Sequence, residues 1–371
     1  MINNVSKTLV KYNKRIVGYL IDANGVIAFQ YDDEWIKDGF SISPISLPLC
    51  NEVFIARNKN FDGLFGVFND SLPDGWGNLL LRRKLSQIGV DYDKLSPLTK
   101  LSMVSHNGLG GLNYEPVQFQ NEIISDIDLD NYAEESEKIF MISYETKNID
   151  SFVALGGSSG GSRPKIHMKD NDGEWIIKFP CSLDIKEIGM EEFISNRLAE
   201  ACGIRTNDYK LFPSKIYKGY FGAKRFDRVN GKRIHMISLS SILETTHLIP
   251  NLDYFHLFQV ISRISVNKTA DIQEAYKRMC FNVLYGNKDD HGKNFAFIYD
   301  ENKKGYCLSP FYDITKSHHK FEHEMTVNGN GNPTEKDLIE MAKELKLPLD
   351  DCEKVINKIK NVLKDENWSK L

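Results

Sequence analysis

No apolar run in this 371-residue chain approaches the roughly 18 residues needed to cross a bilayer. The opening stretch, MINNVSKTLVKYNKRIVGYL, lacks the apolar core and small-residue cleavage site of a secretory signal. No membrane role is therefore expected, and the expected location is the cytoplasm. An excess of one charge is missing too, since 47 Lys+Arg against 51 Asp+Glu leave a formal net charge of -4. Proteins whose main partner is a phosphate backbone usually carry a clear basic excess, so direct nucleic-acid binding is not expected. Cysteine is limited to Cys50, Cys181, Cys202, Cys280, Cys307 and Cys352, with no C-x-x-C pair. Structural zinc usually needs closely spaced ligand pairs, so buried reduced thiols are expected instead. There is no fixed-period repeat and no defensible helix-turn-helix signature, which argues against a solenoid or a DNA-reading module. His318, His319 and His323 do not form H-E-x-x-H and are expected to be a solvated cluster.

What is present is globular. Hydrophobic residues make up 41% and charged residues 26%, enough apolar surface to order the chain. The length suggests two or three packed units. Residues 16–21 and 26–29 are apolar runs joined across Asn24-Gly25, a β-hairpin signature. Ser71 to Gly75 is a turn opening a helix over Trp76–Leu85. Residues 121–140 are acidic and weakly patterned, expected to be a linker or short surface helix. From about residue 151 the pattern becomes loop (Leu155 to Lys165), strand (166–169), turn, strand (175–179). A helix over 190–202, closed by Gly203, and two strands near 209–212 and 220–225 follow. Helical periodicity dominates the rest, over 252–265, 272–284, 335–345 and 350–363.

Chemistry-bearing residues concentrate in Tyr285 to Asn294, between a helix and a strand. Such a loop can be a solvated turn. However, an Asp followed five residues later by an Asn is the spacing of kinase catalytic loops, where the Asp takes or orients the substrate hydroxyl proton and the Asn binds a metal. Asp289 and Asn294 have that spacing. Asp313 follows an expected hairpin (294–300 and 305–308), where kinases place a magnesium ligand, and Mg²⁺ takes hard oxygen donors of this kind. The Gly156, Gly157, Gly160 and Gly161 loop lets backbone amides face an anion, though it matches neither a Walker A motif nor G-x-G-x-x-G. Read alone such a loop is more often a flexible linker; its setting before two strands, with Lys178 on the second, favours the cradle. Lys178 inside the apolar run 175–179 is unusual, because burying an unpaired ammonium is costly. Glu192 on the next helix is a candidate partner, and a solvent-facing strand edge is the plain alternative.

Across almost its whole length the chain resembles the HipA-like serine/threonine kinases, the toxin halves of bacterial toxin–antitoxin modules. The resembling segments are Phe68 to Gly75 (FNDSLPDG), Ser158 to Lys165 (SSGGSRPK), Ile176 to Pro180 (IIKFP), Arg225 to Arg228 (RFDR), Asn287 to Phe295, and Phe311-Tyr312-Asp313. The resemblance implies that Asp289 is the catalytic base, that Asn294 and Asp313 hold Mg²⁺, and that Lys178 and His291 contact ATP phosphates. It implies an adenine contact by the backbone around Lys224 and Phe226, and autophosphorylation at Ser158 or the adjacent Ser159. The candidate ATP contacts are thus Gly160, Gly161, Ser162, Lys165, Lys178, Lys224, Phe226 and Lys293, with Asp289, His291 and Asn294 as the catalytic set. His235 to Ser238 departs from the polar run that family members often carry after the hinge.

The expected fold is α+β, with a two-lobed protein-kinase-like core and a β-rich N-terminal subdomain. The expected divisions are 1–120 for that subdomain, 121–150 for a linker, 151–230 for a nucleotide-binding lobe and 231–371 for a helical catalytic lobe. The implied function is ATP- and Mg²⁺-dependent phosphorylation of a protein serine or threonine, as a toxin whose leading target class is the aminoacyl-tRNA synthetases. The implied partner is a small helix-turn-helix antitoxin, through which DNA would be met only indirectly. Two rivals remain: a kinase with a non-protein substrate, and a pseudokinase-like scaffold that holds an antitoxin–DNA complex without turnover.

Overall fold

The computed structural model describes residues 2–57, 59–104, 108–119, 127–141, 146, 148–181, 184–246, 248–365 and 368. It divides into two compact units. The first holds Met1–Gly189, Leu211–Ile237 and Ser241–Thr245, and the second holds Met190–Lys210, Ser238–Ser240 and Thr246–Leu371. Residues 190–210, grouped by the sequence reading with the nucleotide-binding part, therefore belong with the unit that holds Tyr285 to Asn294.

The first unit opens with an antiparallel sheet of β1 (Lys7–Tyr12), β2 (Arg15–Ala23), β3 (Val26–Tyr31), β4 (Val53–Ile55) and β5 (Leu112–Glu115), in the order β4-β3-β2-β1-β5. The expected hairpin is β2–β3, with Asn24 and Gly25 at φ 56° and 83°. Both angles are positive, as the tight turn that follows strand twist requires. Short helices α1 (Asp33–Asp38) and α2 (Gly66–Asn69) precede α3 (Gly75–Ser86) and α4 (Pro97–Leu101). In α4, Ser96 caps Thr99 N–H and proline occupies the first turn, where its missing donor costs nothing.

Of the two expectations for the acidic stretch, linker or short surface helix, a helix forms, α5 (Leu129–Ile139), but one of its faces is buried in the core; residues 121–126 lie outside the described residues. Asp128 caps α5, accepting from Asp130 and Asn131 N–H. Tyr132 stacks on Phe152 of α6 (Ile149–Gly156) at 4.2 Å and lies 5.1 Å from Phe179. The charges that made the segment look solvated sit on the outer face, while Tyr132, Ala133 and Ile139 are buried. They join Trp76, Leu80, Leu81 and Leu85 of α3 in one cluster. Burying side chains of this size contributes roughly 1.5–3 kcal/mol each.

A second sheet follows from β6 (Lys165–Asp170), β7 (Gly173–Lys178), β8 (Tyr209–Phe212) and β9 (Tyr220–Lys224), in the order β6-β7-β9-β8. Helix α6 runs through Gly156, so the glycine-rich loop starts at Gly157 rather than at Leu155.

The second unit is mostly helical. It contains most of α7 (Ile188–Ala201), the start of α8 (Leu239–Ile242), and α9 (Tyr254–Ile264), α10 (Lys268–Tyr285), α11 (Glu335–Glu344) and α12 (Leu349–Lys364). Asp253 caps α9 by accepting from Phe255 N–H, while its own N–H donates to His256 Nδ1. Helix α10 ends at Gly286, φ 84°, whose N–H donates to the Asn282 carbonyl (2.9 Å). The hairpin of Ala296–Asp300 and Gly305–Leu308 follows, as the sequence implied. All six cysteines are free; Cys202, Cys280, Cys307 and Cys352 are buried.

Candidate active site

In the first unit the residues between α6 and β7 form a candidate phosphate cradle. Lys165 and Lys178 are direct partners in the antiparallel β6–β7 register. Lys165, 8% exposed, donates to the Gly160 carbonyl (2.5 Å), and Lys178 Nζ lies 5.8 Å from the centre of the Phe221 ring. Gly161 takes φ 81°; Gly161 and Ser162 are exposed. Ser158 and Ser159 are 5% and 1% exposed, and Ser159 Oγ donates to the Gly156 carbonyl (2.6 Å). In this conformation neither candidate acceptor hydroxyl is presented to solvent.

Lys224 pairs with Trp175 on β7, three residues along from Lys178, and its ammonium lies 6.0 Å from the Trp175 ring centre. Its side chain is thus separated from the lysine pair by about 10 Å of strand. Phe226 is half-buried just beyond β9. Around these two, Arg225, Asp227, Arg228 and Arg233 grip the loop that enters β5. Arg225 and Arg228 donate to the Gly108 carbonyl, Arg228 and Arg233 to that of Gly110, and Arg233 to that of Leu112. Asp227 accepts from Gly110 N–H (2.7 Å) and from Arg225. Burial alone would raise the Asp227 carboxyl, but Arg225 and Arg228 outweigh it and hold it well below the usual carboxylate range. Burial pulls Arg233 down to about 9. His235, in the segment that departs from the family pattern, is fully buried, and its Nε2 meets the Ile42 carbonyl at 2.8 Å. Burial lowers it to about 4. It serves packing of the first unit.

In the second unit the candidate catalytic loop hangs from the end of α10. Asn287, buried, donates to Asn282 Oδ1 (2.9 Å), and Asn282 donates to Tyr254 Oη (2.8 Å). Tyr254 in turn donates to Asp290 Oδ2 (2.7 Å). His323 Nδ1 also meets that oxygen at 2.8 Å, and Glu324 N–H donates to Asp290 Oδ1 (3.0 Å). Asp290 is 1% exposed. The adjacent Asp289 turns outward, its side chain 40% exposed. The two neighbouring carboxylates are thereby sorted: Asp290 anchors the loop and Asp289 is offered.

Three bonds then align the rest. Asn294 Nδ2 donates to the Asp289 carbonyl (2.6 Å), which leaves its amide oxygen as the donor atom a hard cation takes. Lys293 N–H donates to His291 Nδ1 (3.3 Å), so His291 shapes the turn that presents Asn294. Tyr312 Oη donates to the Lys293 carbonyl (2.6 Å), fixing the segment that carries Asp313 beside the loop. Ser317 repeats this further on: its N–H donates to the Gly286 carbonyl and its hydroxyl accepts from Lys288 N–H. Asp313 itself takes φ 57°, a left-handed conformation unusual for a non-glycine residue. Asp289, His291, Lys293, Asn294 and Asp313 are therefore held on two stitched segments, while Lys178 and Glu192 fall in different units.

Sequence reasoning missed Lys320. Its ammonium bridges Asp289 Oδ1 and Glu324 Oε1, each at 2.5 Å. Burial opposes its charge, but the two carboxylates outweigh that and raise its pKa. Nothing local flags it, since it lies 31 residues beyond Asp289. His323 was also expected in a solvated cluster; it is 6% exposed because it pairs with Asp290. His318 meets Glu191 at 2.6 Å. Among the described residues no group of three or more His, Cys, Asp or Glu could hold a metal ion, and no helix is long and apolar enough to cross a membrane.

Two family models match: the HipA N-terminal domain over residues 8–115, and the HipA-like C-terminal domain over residues 157–366, more than half the chain. The chain belongs to the HipA family. The HipA of Shewanella oneidensis MR-1, solved in a toxin–antitoxin complex with HipB and operator DNA, superposes with a TM-score of 0.71 at 20% identity. The match covers 95% of this chain and 88% of that one. At that identity it establishes the HipA fold. Two Sinorhizobium fredii proteins are similar in sequence. "Putative kinase Y4mE" is 24% identical over 339 residues, 82% of this chain and 76% of its own length. "Putative kinase Y4dM" is 26% identical over 199 residues, 50% of this chain, and the chain spans about half, 47%, of that protein. Every candidate from Ser158 to Asp313 lies inside the HipA-like C-terminal match.

Proposed function

We propose that the chain is a HipA-type kinase that moves the γ-phosphoryl group of ATP to a serine or threonine hydroxyl of a protein. The observation that carries this reading is the stitched pair of segments in the second unit. Asn294 bonds the Asp289 carbonyl, and Tyr312, next to Asp313, bonds the Lys293 carbonyl. The chain itself thus ties Asn294 to the backbone of Asp289 and the segment carrying Asp313 to the backbone of Lys293, which supports reading them as one site.

The donor set suits Mg²⁺, which would be held by the Asn294 amide oxygen and the Asp313 carboxylate, with phosphates completing its shell. When bound, that ion neutralises charge on the phosphates. Asp289, outward and partly exposed, accepts or orients the proton of the attacking hydroxyl. Lys320 keeps that carboxylate in place. Lys165, Lys178 and the Gly160–Ser162 loop offer cationic and amide donors to the phosphates, and the backbone around Lys224 and Phe226 offers the adenine contact. Phosphoryl transfer needs little covalent chemistry, so positioning and electrostatics supply the rate.

On the same reading the chain is a cytoplasmic toxin. Its target is a translation component, with aminoacyl-tRNA synthetases first to be examined, and its partner is a small helix-turn-helix antitoxin. The Shewanella HipA complex supports the last point by analogy, and the net charge of -4 agrees with DNA being met through that partner. Ser158 or Ser159 is the proposed self-modification site. Phosphate there adds about -1.5 to -2 charge in a loop meant for phosphate, which opposes ATP binding.

Incubation with Mg²⁺ and γ-labelled ATP, beside Asp289→Asn, tests the reading. Label mapped to Ser158 or Ser159 and lost by about 10²-fold or more in the variant is expected. A bare loop in recovered protein that neither binds ATP nor takes label would overturn it.

A further inference from the structure

The peptide group joining Gly160 to Gly161 is gripped at both ends by opposite charges. Lys165 Nζ donates to the Gly160 carbonyl (2.5 Å), and the Gly161 N–H of the same peptide donates to Asp74 Oδ1. The next peptide is held as well, because Trp76 N–H donates to the Gly161 carbonyl (2.9 Å). Asp74 and Trp76 come from the first turn of α3, 87 residues upstream of the loop in the case of Asp74.

Asp74 is placed as the N-cap of α3, yet its side chain makes no cap bond to that helix. An aspartate there normally stabilises the helix through such a bond. Here the carboxylate is directed to the loop instead. The backbone approach is close enough to demand glycine on the α3 side. A Cβ on Gly75 (φ 25°) would lie 2.5 Å from the Gly161 carbonyl oxygen and 2.6 Å from Ser162 Cα. One on Gly77 would lie 2.8 Å from the Ser159 carbonyl oxygen and 3.1 Å from that of Gly157. The first turn of α3 is therefore laid against the main chain of the loop from Gly157 to Ser162.

We infer that Asp74 is a positioning residue for the phosphate-binding loop: its carboxylate, opposed by Lys165, orients the Gly160–Gly161 peptide and keeps the loop seated for ATP. The choice of ATP as ligand rests on the kinase reading; the clasp itself does not. With the clasp closed, Ser158 and Ser159 stay buried, so release of Asp74 is also the step that would expose them.

Asp74→Ser separates the loop from the helix, because serine is equally favoured at the N-cap of α3 but is too short to hold Gly161. Hydrogen exchange measured by mass spectrometry on the full chain without nucleotide should show amides of 157–164 exchanging about 10-fold faster, the size expected from losing one charge-assisted bond. Exchange in 75–86 and 165–178 should stay as in the wild type. ATP titration should then show affinity falling about 10-fold, with kcat at saturating ATP falling less. Unchanged exchange in 157–164, or acceleration throughout the first unit, would overturn the clasp. Tighter ATP binding in the variant would overturn the positioning role, since the carboxylate would then be competing with phosphate for the same amide. A wild-type chain that binds no ATP would overturn the kinase reading and the loop's ligand with it, while the exchange comparison still decides the clasp.

Discussion

Asp289 and Asp290 are adjacent, chemically identical and used in opposite ways. Asp290 is buried, with Tyr254, His323 and the Glu324 amide around its two oxygens. Asp289 projects outward to Lys320. Removing the buried carboxylate leaves the donors around it unsatisfied, at a cost of about 1–3 kcal/mol for each. Asp290→Ala is therefore expected to lower stability by that order, whereas Asp289→Asn should change it by less than about 0.5 kcal/mol as a partly exposed position. Urea unfolding of the two variants followed by tryptophan fluorescence checks this. Equal losses would mean that the two carboxylates are not divided as described. The spacing of Asp289 and Asn294 was legible in the sequence because it is local. Which of the two aspartates faces out was not, because Tyr254 and His323 reach the loop from 36 residues before and 33 after Asp290.

At the scale of elements, the arginine cluster is the most consequential connection in the first unit. Arg225, Arg228 and Arg233, around β9 and the turn after it, hold the carbonyls of Gly108, Gly110 and Leu112 at the entry to β5. Asp227 is the buried anion among them. Its folded pKa is depressed, so its stabilising contribution is present above about pH 4, its ordinary carboxylate range, and is lost as pH falls below that. Asp227→Ala leaves two buried guanidinium groups without their shared carboxylate, and a loss of about 3–5 kcal/mol is expected. Thermal or urea unfolding at pH 7 checks it; a loss below about 1 kcal/mol would mean that the loop carbonyls alone satisfy the arginines. The first hairpin and the end of α7 were readable because Asn24-Gly25 and Gly203 act within a few residues. A helix was one of two expectations for α5, but its burial was not readable, because its few apolar positions are diluted by acidic ones and Tyr132 packs on Phe152 and Phe179 from elsewhere in the chain.

For the whole molecule, the units are not consecutive lengths of chain. The first unit needs residues 211–237 as well as 1–189. Strand β9 pairs with β7 at Trp175, Ile176 and Ile177, and the arginine cluster comes from the same return segment. A chain cut after Gly189 would expose the β7 edge and lose the clamp on residues 108–112. It is expected to show no cooperative urea transition and weak near-ultraviolet circular dichroism, the signs of a unit without fixed packing. A sharp transition would show that residues 1–189 fold alone.

The sequence by itself determined the short-range features: the turn residues, the helix ends, the Asp289–Asn294 spacing and the ordered motifs that resemble HipA. Each depends on backbone preferences or on side chains a few positions apart. The tertiary structure alone decided that Lys320 meets Asp289, that Asp290 is an anchor, and that Asp74 holds Gly161 rather than capping its own helix. Those outcomes depend on which distant side chains reach one another once the core has closed, and burial then sets how strongly each charge is held.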